Sequence, residues 1–239
     1  MWSDARVFGP MLDSVRVGVR TIPIDFPGHG RRKDEPPARH VEALARELLR
    51  AVAGPEPAVL AGISMGAIAA LHAALLRPHA VAGLLLFAGT PFAESAPRRL
   101  LDRVLAAVYG VVGPAAPLRW AVRRVAFGPE YEPEDPFGRQ VIQWAEEVPR
   151  ATVAASLRLM AGRPTVARRL HEITIPVAVV VGDRDRVFGP GPSRALARGL
   201  VNAELRVLRR TGHAVVVERP RASARLLEEL LERVGPHAS

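Results

Sequence analysis

Ser64 stands between two glycines in the run Ala58-Val59-Leu60-Ala61-Gly62-Ile63-Ser64-Met65-Gly66. An apolar strand is predicted before it, and a helix over Met65 to Leu76, apolar nearly all round, after it. Glycines lack the β-carbons that would clash in so tight a strand-to-helix turn, which leaves the serine at its tip. The helix begins directly behind the serine, so its first N–H groups, that of Met65 foremost, face any oxyanion formed there. The bare G-x-S-x-G pattern also fits a plain tight turn against a buried helix. The strand before it and the helix behind it favour a nucleophile.

A serine hydroxyl attacks poorly until a base takes its proton, and a histidine does so near neutral pH. The histidine in turn needs a carboxylate to fix its tautomer and stabilise the imidazolium. His213 follows Arg209-Arg210-Thr211-Gly212, and Asp185 closes Gly182-Asp183-Arg184-Asp185. Like Ser64, each falls just past the carboxyl end of a predicted strand, where an open parallel sheet gathers its ligands. Asp183 reads as a carboxylate that caps its own loop. The remaining histidines have plainer readings: His29 in a turn, His72 packed in the helix behind the serine, His79 in a surface turn. No histidine–carboxylate spacing suggests a metal, and no cofactor is implied.

The elements that must position these groups alternate. Val15 to Asp25 is a β-rich stretch ending in the turn Phe26-Pro27-Gly28-His29-Gly30. Val41, Leu44, Leu48, Leu49 and Val52 share a helical face, with Gly54 suited to a left-handed stop. After the serine helix, Val81 to Ala88 is the next apolar run. Strands separated by helices imply parallel pairing with helices on both faces. From about 91 to 175 no strand pattern occurs. Leu100, Leu101, Val104, Leu105 and Val108 have helical spacing, as do Val141, Ile142 and Ala145, and prolines break the stretch into short helices. Strands resume at Pro176 to Val181 and Glu204 to Leu208, and an amphipathic helix closes the chain before Gly235. One α/β domain over 1–239 with a helical insertion at about 91–175 is expected.

Composition bounds the rest. A chain of 239 residues, 49% hydrophobic and 24% charged, buries a sizeable core. With no cysteine, disulfides and thiolate chemistry are excluded. The first residues lack an apolar core of signal-peptide length, and no run of about 18 apolar residues occurs, so a cytoplasmic protein without a membrane partner is expected. The formal charge of +9 rests on arginines scattered over many elements, Lys33 being the only lysine. Without interleaved aromatics to stack bases, nucleic acid is not an expected partner.

Taken in order, these motifs make the chain resemble the α/β-hydrolase family from about Trp2 to the carboxyl terminus. Asp25-Phe26-Pro27-Gly28-His29-Gly30 is similar to the family's D-x-P-G-x-G turn, Gly62 to Gly66 to its elbow, and Gly182-x-x-Asp185-x-Val187 to its acid loop. Gly212-His213 followed by Glu218-Arg219-Pro220 is similar to its histidine loop. The resemblance implies a triad of Ser64, Asp185 and His213 with the Met65 N–H as an oxyanion donor, and a helical cap in the insertion. Relatives that open epoxides or remove halides carry aspartate at the elbow, so Ser64 implies an acyl-serine route on an apolar ester or related acyl substrate. A thioesterase or acyl-transfer role, and a ligand-binding protein that has lost turnover, are the alternatives. The layout is weakly similar to carrier-protein methyl ester esterases. Arg98, Arg99, Arg103, Arg119, Arg123 and Arg124 would then be available to an acidic acyl carrier protein, although a solvated arginine face is the plainer reading.

The resemblance also marks a departure. Related chains begin with further strands, the last of them ending in an HG-type loop that supplies a second oxyanion N–H; losing one such donor costs about 10²–10³ in turnover. Here the motif series starts after that loop. An upstream start is expected, the alternative being a short form that kept the pocket and lost turnover. The sheet is expected to show a gap or re-pairing between the Thr21 stretch and the elbow strand.

Overall fold

The computed structural model describes residues 4–112, 124–131 and 135–235. Trp2, Arg119 and Arg123 lie outside them. Among the described residues four strands, β1 (Ala58–Ile63), β2 (Val81–Phe87), β3 (Val177–Gly182) and β4 (Ala203–Leu208), form one parallel sheet in the order β1-β2-β3-β4. The longer helices that connect or flank them are α1 (Val41–Ala51), α2 (Met65–Leu76), α3 (Ala96–Val112), α4 (Pro136–Glu147), α5 (Arg150–Gly162), α6 (Pro190–Gly199) and α7 (Pro220–Val234).

Side chains alternate across a strand, and here the alternation sorts the core into two layers. Leu84, Leu86, Val177 and Val179 pack with α1, α2 and Leu196 of α6 on one face. Leu85, Phe87, Ala178 and Val180 pack with Leu226, Leu227 and Leu230 of α7, and with Val7 and Met11, on the other. Burial on both faces is why β2 and β3 read as unbroken apolar runs and not as alternating ones. Helix α2 lies inside the first layer with Ala67 through Ala74 all buried, which explains its all-round apolar sequence.

Several expectations change. Residues 15–25 form no strand: the backbone is largely extended, and no backbone–backbone hydrogen bond joins 17–24 to other described residues. The β-rich composition favours extended backbone there, but a strand needs a neighbour. A cavity of about 520 Å³, lined on one side by Thr21, Ile22 and Ile24 and on the other by Leu60, Ala61 and Ile63 of β1, lies where that neighbour would be. Helix α1 stops at Val52 with φ −103°, so Gly54 is not its left-handed cap; Gly235, φ +82°, does cap α7.

The helical stretch between β2 and β3 contains α3, α4 and α5 and no strand among its described residues. Val141 and Ala145 of α4 are buried as their spacing predicts. The apolar face of α3 is not. Leu100 is 65% exposed, with Leu101, Val104, Leu105 and Val108 also open to solvent, while the opposite side, at Ala106, packs with Val153, Ala154 and Leu157 of α5. Spacing alone reports that a face is apolar, not which side of the helix finds a partner.

Candidate functional site

The strand register brings the carboxyl ends together: Ile63 pairs with Phe87, Phe87 with Val180, and Gly182 with Leu208. Ser64, Asp185 and His213 each follow within a few residues. Ser64 has φ +53° and ψ −113°, a region costly for any side chain, so the surrounding turn must hold it there. Its N–H donates to the Phe87 carbonyl at 2.9 Å, and its carbonyl accepts from Ile68 N–H at 3.0 Å. A β-carbon on Gly62 would overlap the Gly66 carbonyl and stand 2.7 Å from Ala67 N, so only glycine allows this crossing. Met65 is the first residue of α2, and its N–H has no partner inside the helix.

Asp185 and His213 are brought together. The Asp185 carboxylate is buried, Oδ2 lies 3.0 Å from His213 Nδ1, and Oδ1 accepts N–H donors from Val187 at 2.7 Å and Phe188 at 3.2 Å. Burial by itself pushes this carboxyl up, but the hydrogen bond and charge of His213, with the two N–H donors, outweigh it and hold the pKa below the ordinary value. Asp183 Oδ1 accepts the Thr211 N–H at 3.2 Å, so its carboxylate caps the histidine loop and not its own. The Ser64 hydroxyl forms no hydrogen bond among the described residues. No hydrogen bond joins Ser64 to His213. His72 is packed within α2, where burial lowers its pKa. No group of three or more His, Cys, Asp or Glu among the described residues could hold a metal, and no helix there is long and apolar enough to cross a membrane.

Some neighbours of the site carry no sequence pattern. The Phe188 ring meets His213 edge-on, centroids 5.8 Å apart, and the Arg163 guanidinium lies 5.5 Å above the same phenylalanine. Arg163 is itself buried and pairs with Glu94 at 2.8 Å, tying the start of the 91–175 stretch to the end of α5. Glu218 is another buried acid; it opens the Glu218-Arg219-Pro220 run that follows the histidine, and its place directly after Val215-Val216-Val217 is a sign that it turns inward.

The histidine loop also leans on the end of β3. A β-carbon on Gly182 would overlap the carbonyl oxygens of Thr211 and Gly212 and lie 2.6 Å from Thr211 C, all of it backbone with no flexible end to yield. Gly182→Ala is expected to cost about 1–3 kcal/mol of stability through forced backbone shifts. A urea denaturation midpoint unchanged from wild type would show that the loop yields freely.

A sequence model of the alpha/beta hydrolase family matches residues 1–226. The monoacylglycerol lipase ABHD6 of Bos taurus is 32% identical over 72 residues, which are 30% of this chain and only 21% of the lipase. A pimeloyl-[acyl-carrier protein] methyl ester esterase of Aromatoleum aromaticum is 27% identical over 243 aligned residues, covering 95% of this chain and 93% of the relative. Among solved structures, a thermophilic esterase from Thermogutta terrifontis superposes with TM-score 0.88 at 24% identity, over 98% of this chain and 87% of that one. The enol-lactonase of Burkholderia xenovorans gives 0.84 at 19% identity, over 97% and 88%. With a parallel sheet flanked by helices, an elbow serine at its carboxyl edge and a family match over nearly the whole length, the chain belongs to the alpha/beta hydrolase family.

Proposed function

We propose that this chain is a serine hydrolase that cleaves a carboxylic ester, or a related acyl substrate, through an acyl-serine intermediate. The observation that carries the reading is the buried Asp185 carboxylate paired with His213 at the same sheet edge as the constrained Ser64. In the proposed cycle His213 Nε2 takes the Ser64 proton as Oγ attacks the carbonyl carbon. The oxyanion so formed accepts the Met65 N–H. The intermediate collapses as His213 returns the proton to the departing alkoxide, leaving the acyl group on Oγ. Water then attacks with the same histidine as base, and the acid leaves with Ser64 restored. Asp185 holds His213 with Nδ1 protonated throughout.

The helical stretch at about 91–175 would serve as the cap of this single domain. A carrier-borne ester is the finer reading. It is favoured by likeness to a pimeloyl-[acyl-carrier protein] methyl ester esterase over most of the chain, and by the exposure of Arg98, Arg99, Arg103 and Arg124. Such a contact with an acidic protein would weaken steeply with added salt.

Labelling with a fluorophosphonate probe tests the hydrolase reading directly. The expected product is one adduct per chain, found by peptide mass on the fragment containing Ser64. A folded chain that takes no label, or takes it elsewhere, would sink the acyl-serine route and favour a ligand-binding protein of the same fold.

A further inference from the structure

Glu218 ends the short helix Val215–Glu218 and is only 6% exposed. A carboxylate buried so deeply must be satisfied by hydrogen bonds, and here backbone N–H groups provide them. Gly212 N–H donates to Oε1 at 2.9 Å and Oε2 at 3.1 Å, and Gly128 N–H donates to Oε2 at 3.1 Å. The neighbouring Arg219 guanidinium goes elsewhere, donating to the carbonyls of Glu218 and Arg210.

The two glycines belong to different parts of the chain. Gly212 directly precedes His213, whereas Gly128 lies within the helical stretch at about 91–175. On the other side of the histidine, Ala214 N–H donates to the Ala126 carbonyl at 2.7 Å. The Thr211–Gly212 and His213–Ala214 peptide groups, on either side of His213, are therefore fastened to Ala126–Gly128, the second directly and the first through Glu218. The approach requires glycine at 212, where a β-carbon would overlap Gly128 N and stand 2.5 Å from Phe127 C, while one on Gly128 would press on Glu218 Oε2 at 2.9 Å.

We propose that Glu218 is a positioning residue for His213, its carboxylate bonding the histidine loop to the Ala126–Gly128 segment and so fixing where the imidazole stands. The inference rests on the reading of His213 as the general base. Glu218 acts through the loop and need not touch substrate.

Its surroundings make the bond sensitive to pH. Burial pushes Glu218 up to about 7, against the lowering effect of the Gly212 and Gly128 N–H groups and of Arg219, while the Asp185 charge adds to the rise. Tyr131, three residues after Gly128, is a further titratable group facing it, and donates its hydroxyl to Asp135. Because the folded pKa is raised, the stability linked to this group is fully present below the ordinary carboxylate range and is lost as pH climbs toward about 7. Ionisation works the other way on the site, since only the carboxylate offers both oxygens to the two N–H groups. Stability and histidine placement thus favour opposite protonation states.

The test compares wild type with Glu218→Gln, whose amide nitrogen would face an N–H, and with Gly128→Ala, which presses on the same carboxylate from the cap side. Each is read by thermal unfolding, by the rate of fluorophosphonate labelling across pH, and by NMR titration of the His213 ring. Glu218→Gln is expected to label about tenfold more slowly, the scale of a modest misplacement of a catalytic group. It should also lose the part of the acid limb near neutrality and show displaced His213 ring signals. Affinity for a reversible, product-like carboxylic acid should stay within about twofold of wild type, because binding does not require the base to be aligned. Unchanged labelling, pH profile and ring signals in Glu218→Gln would overturn the proposal. Should that variant not fold, wild-type behaviour of Gly128→Ala would overturn it equally. A wild-type chain that takes no label fails the hydrolase reading alone, and the NMR arm then still decides whether Glu218 governs His213.

Discussion

Ser64→Ala is expected to lower ester hydrolysis by about 10⁶ in kcat while leaving a folded, ligand-binding chain. The size follows from the chemistry proposed. Without Oγ no acyl-enzyme forms, and His213 is left to direct a water that nothing at the site was arranged to hold. The intact fold follows from the bonds that place residue 64. Both are backbone bonds, the N–H to the Phe87 carbonyl and the carbonyl from Ile68 N–H, and alanine keeps both. The hydroxyl makes no hydrogen bond among the described residues, so its removal should change stability by no more than about 0.5 kcal/mol. Thermal unfolding of the variant beside an ester assay reads both halves. Turnover surviving in a well-folded Ser64→Ala chain would mean that another group is the nucleophile.

The contrast between Ser64 and the α3 stripe shows where the sequence was legible. Around Ser64 the constraints are local: Gly62 must be glycine because Gly66 crosses against it, and the β1 strand and α2 helix on either side have unambiguous patterns. That Asp185 and His213 meet was legible for the same reason, each following a strand that ends in a glycine-marked turn. Residues 15–25 failed because strand formation is a property of pairs. Their composition favours extended backbone, and extended they are, but no strand among the described residues pairs with them. On α3, Leu100 and Val104 carry the spacing of a core-facing helix and yet point to solvent. The Arg163–Glu94 pair and the Phe188 contact on His213 depend on where distant segments meet, and nothing periodic marks them. Glu218 lies between these cases: three valines before it announce a buried helix, but not which N–H groups its carboxylate would find.

Asp185→Asn is the sharper test of the site, because it changes almost no volume. The introduced amide could keep its oxygen toward the Val187 and Phe188 N–H groups, which Oδ1 now accepts at 2.7 and 3.2 Å. That leaves the amide N–H pointing at His213 Nδ1, 3.0 Å away in the native pair. The imidazole must then offer Nδ1 as an acceptor and carry its proton on Nε2, where it cannot take one from Ser64. A fall of about 10⁴ in kcat at neutral pH is expected from this tautomer change. The native carboxyl has its pKa held below the ordinary range, so the stability it contributes is present above that range and lost as pH falls through the folded value. Asparagine removes that dependence, and the acid side of the unfolding curve should flatten. Asp183→Asn provides the comparison: among the described residues its carboxylate accepts one hydrogen bond, from Thr211 N–H, so the change should cost about 1 kcal/mol of stability and little turnover. Nitrogen shifts of the His213 ring report the tautomer independently of any substrate. If Asp185→Asn turned over within tenfold of wild type with Nδ1 still protonated, Asp185 would not be the group that orients the base.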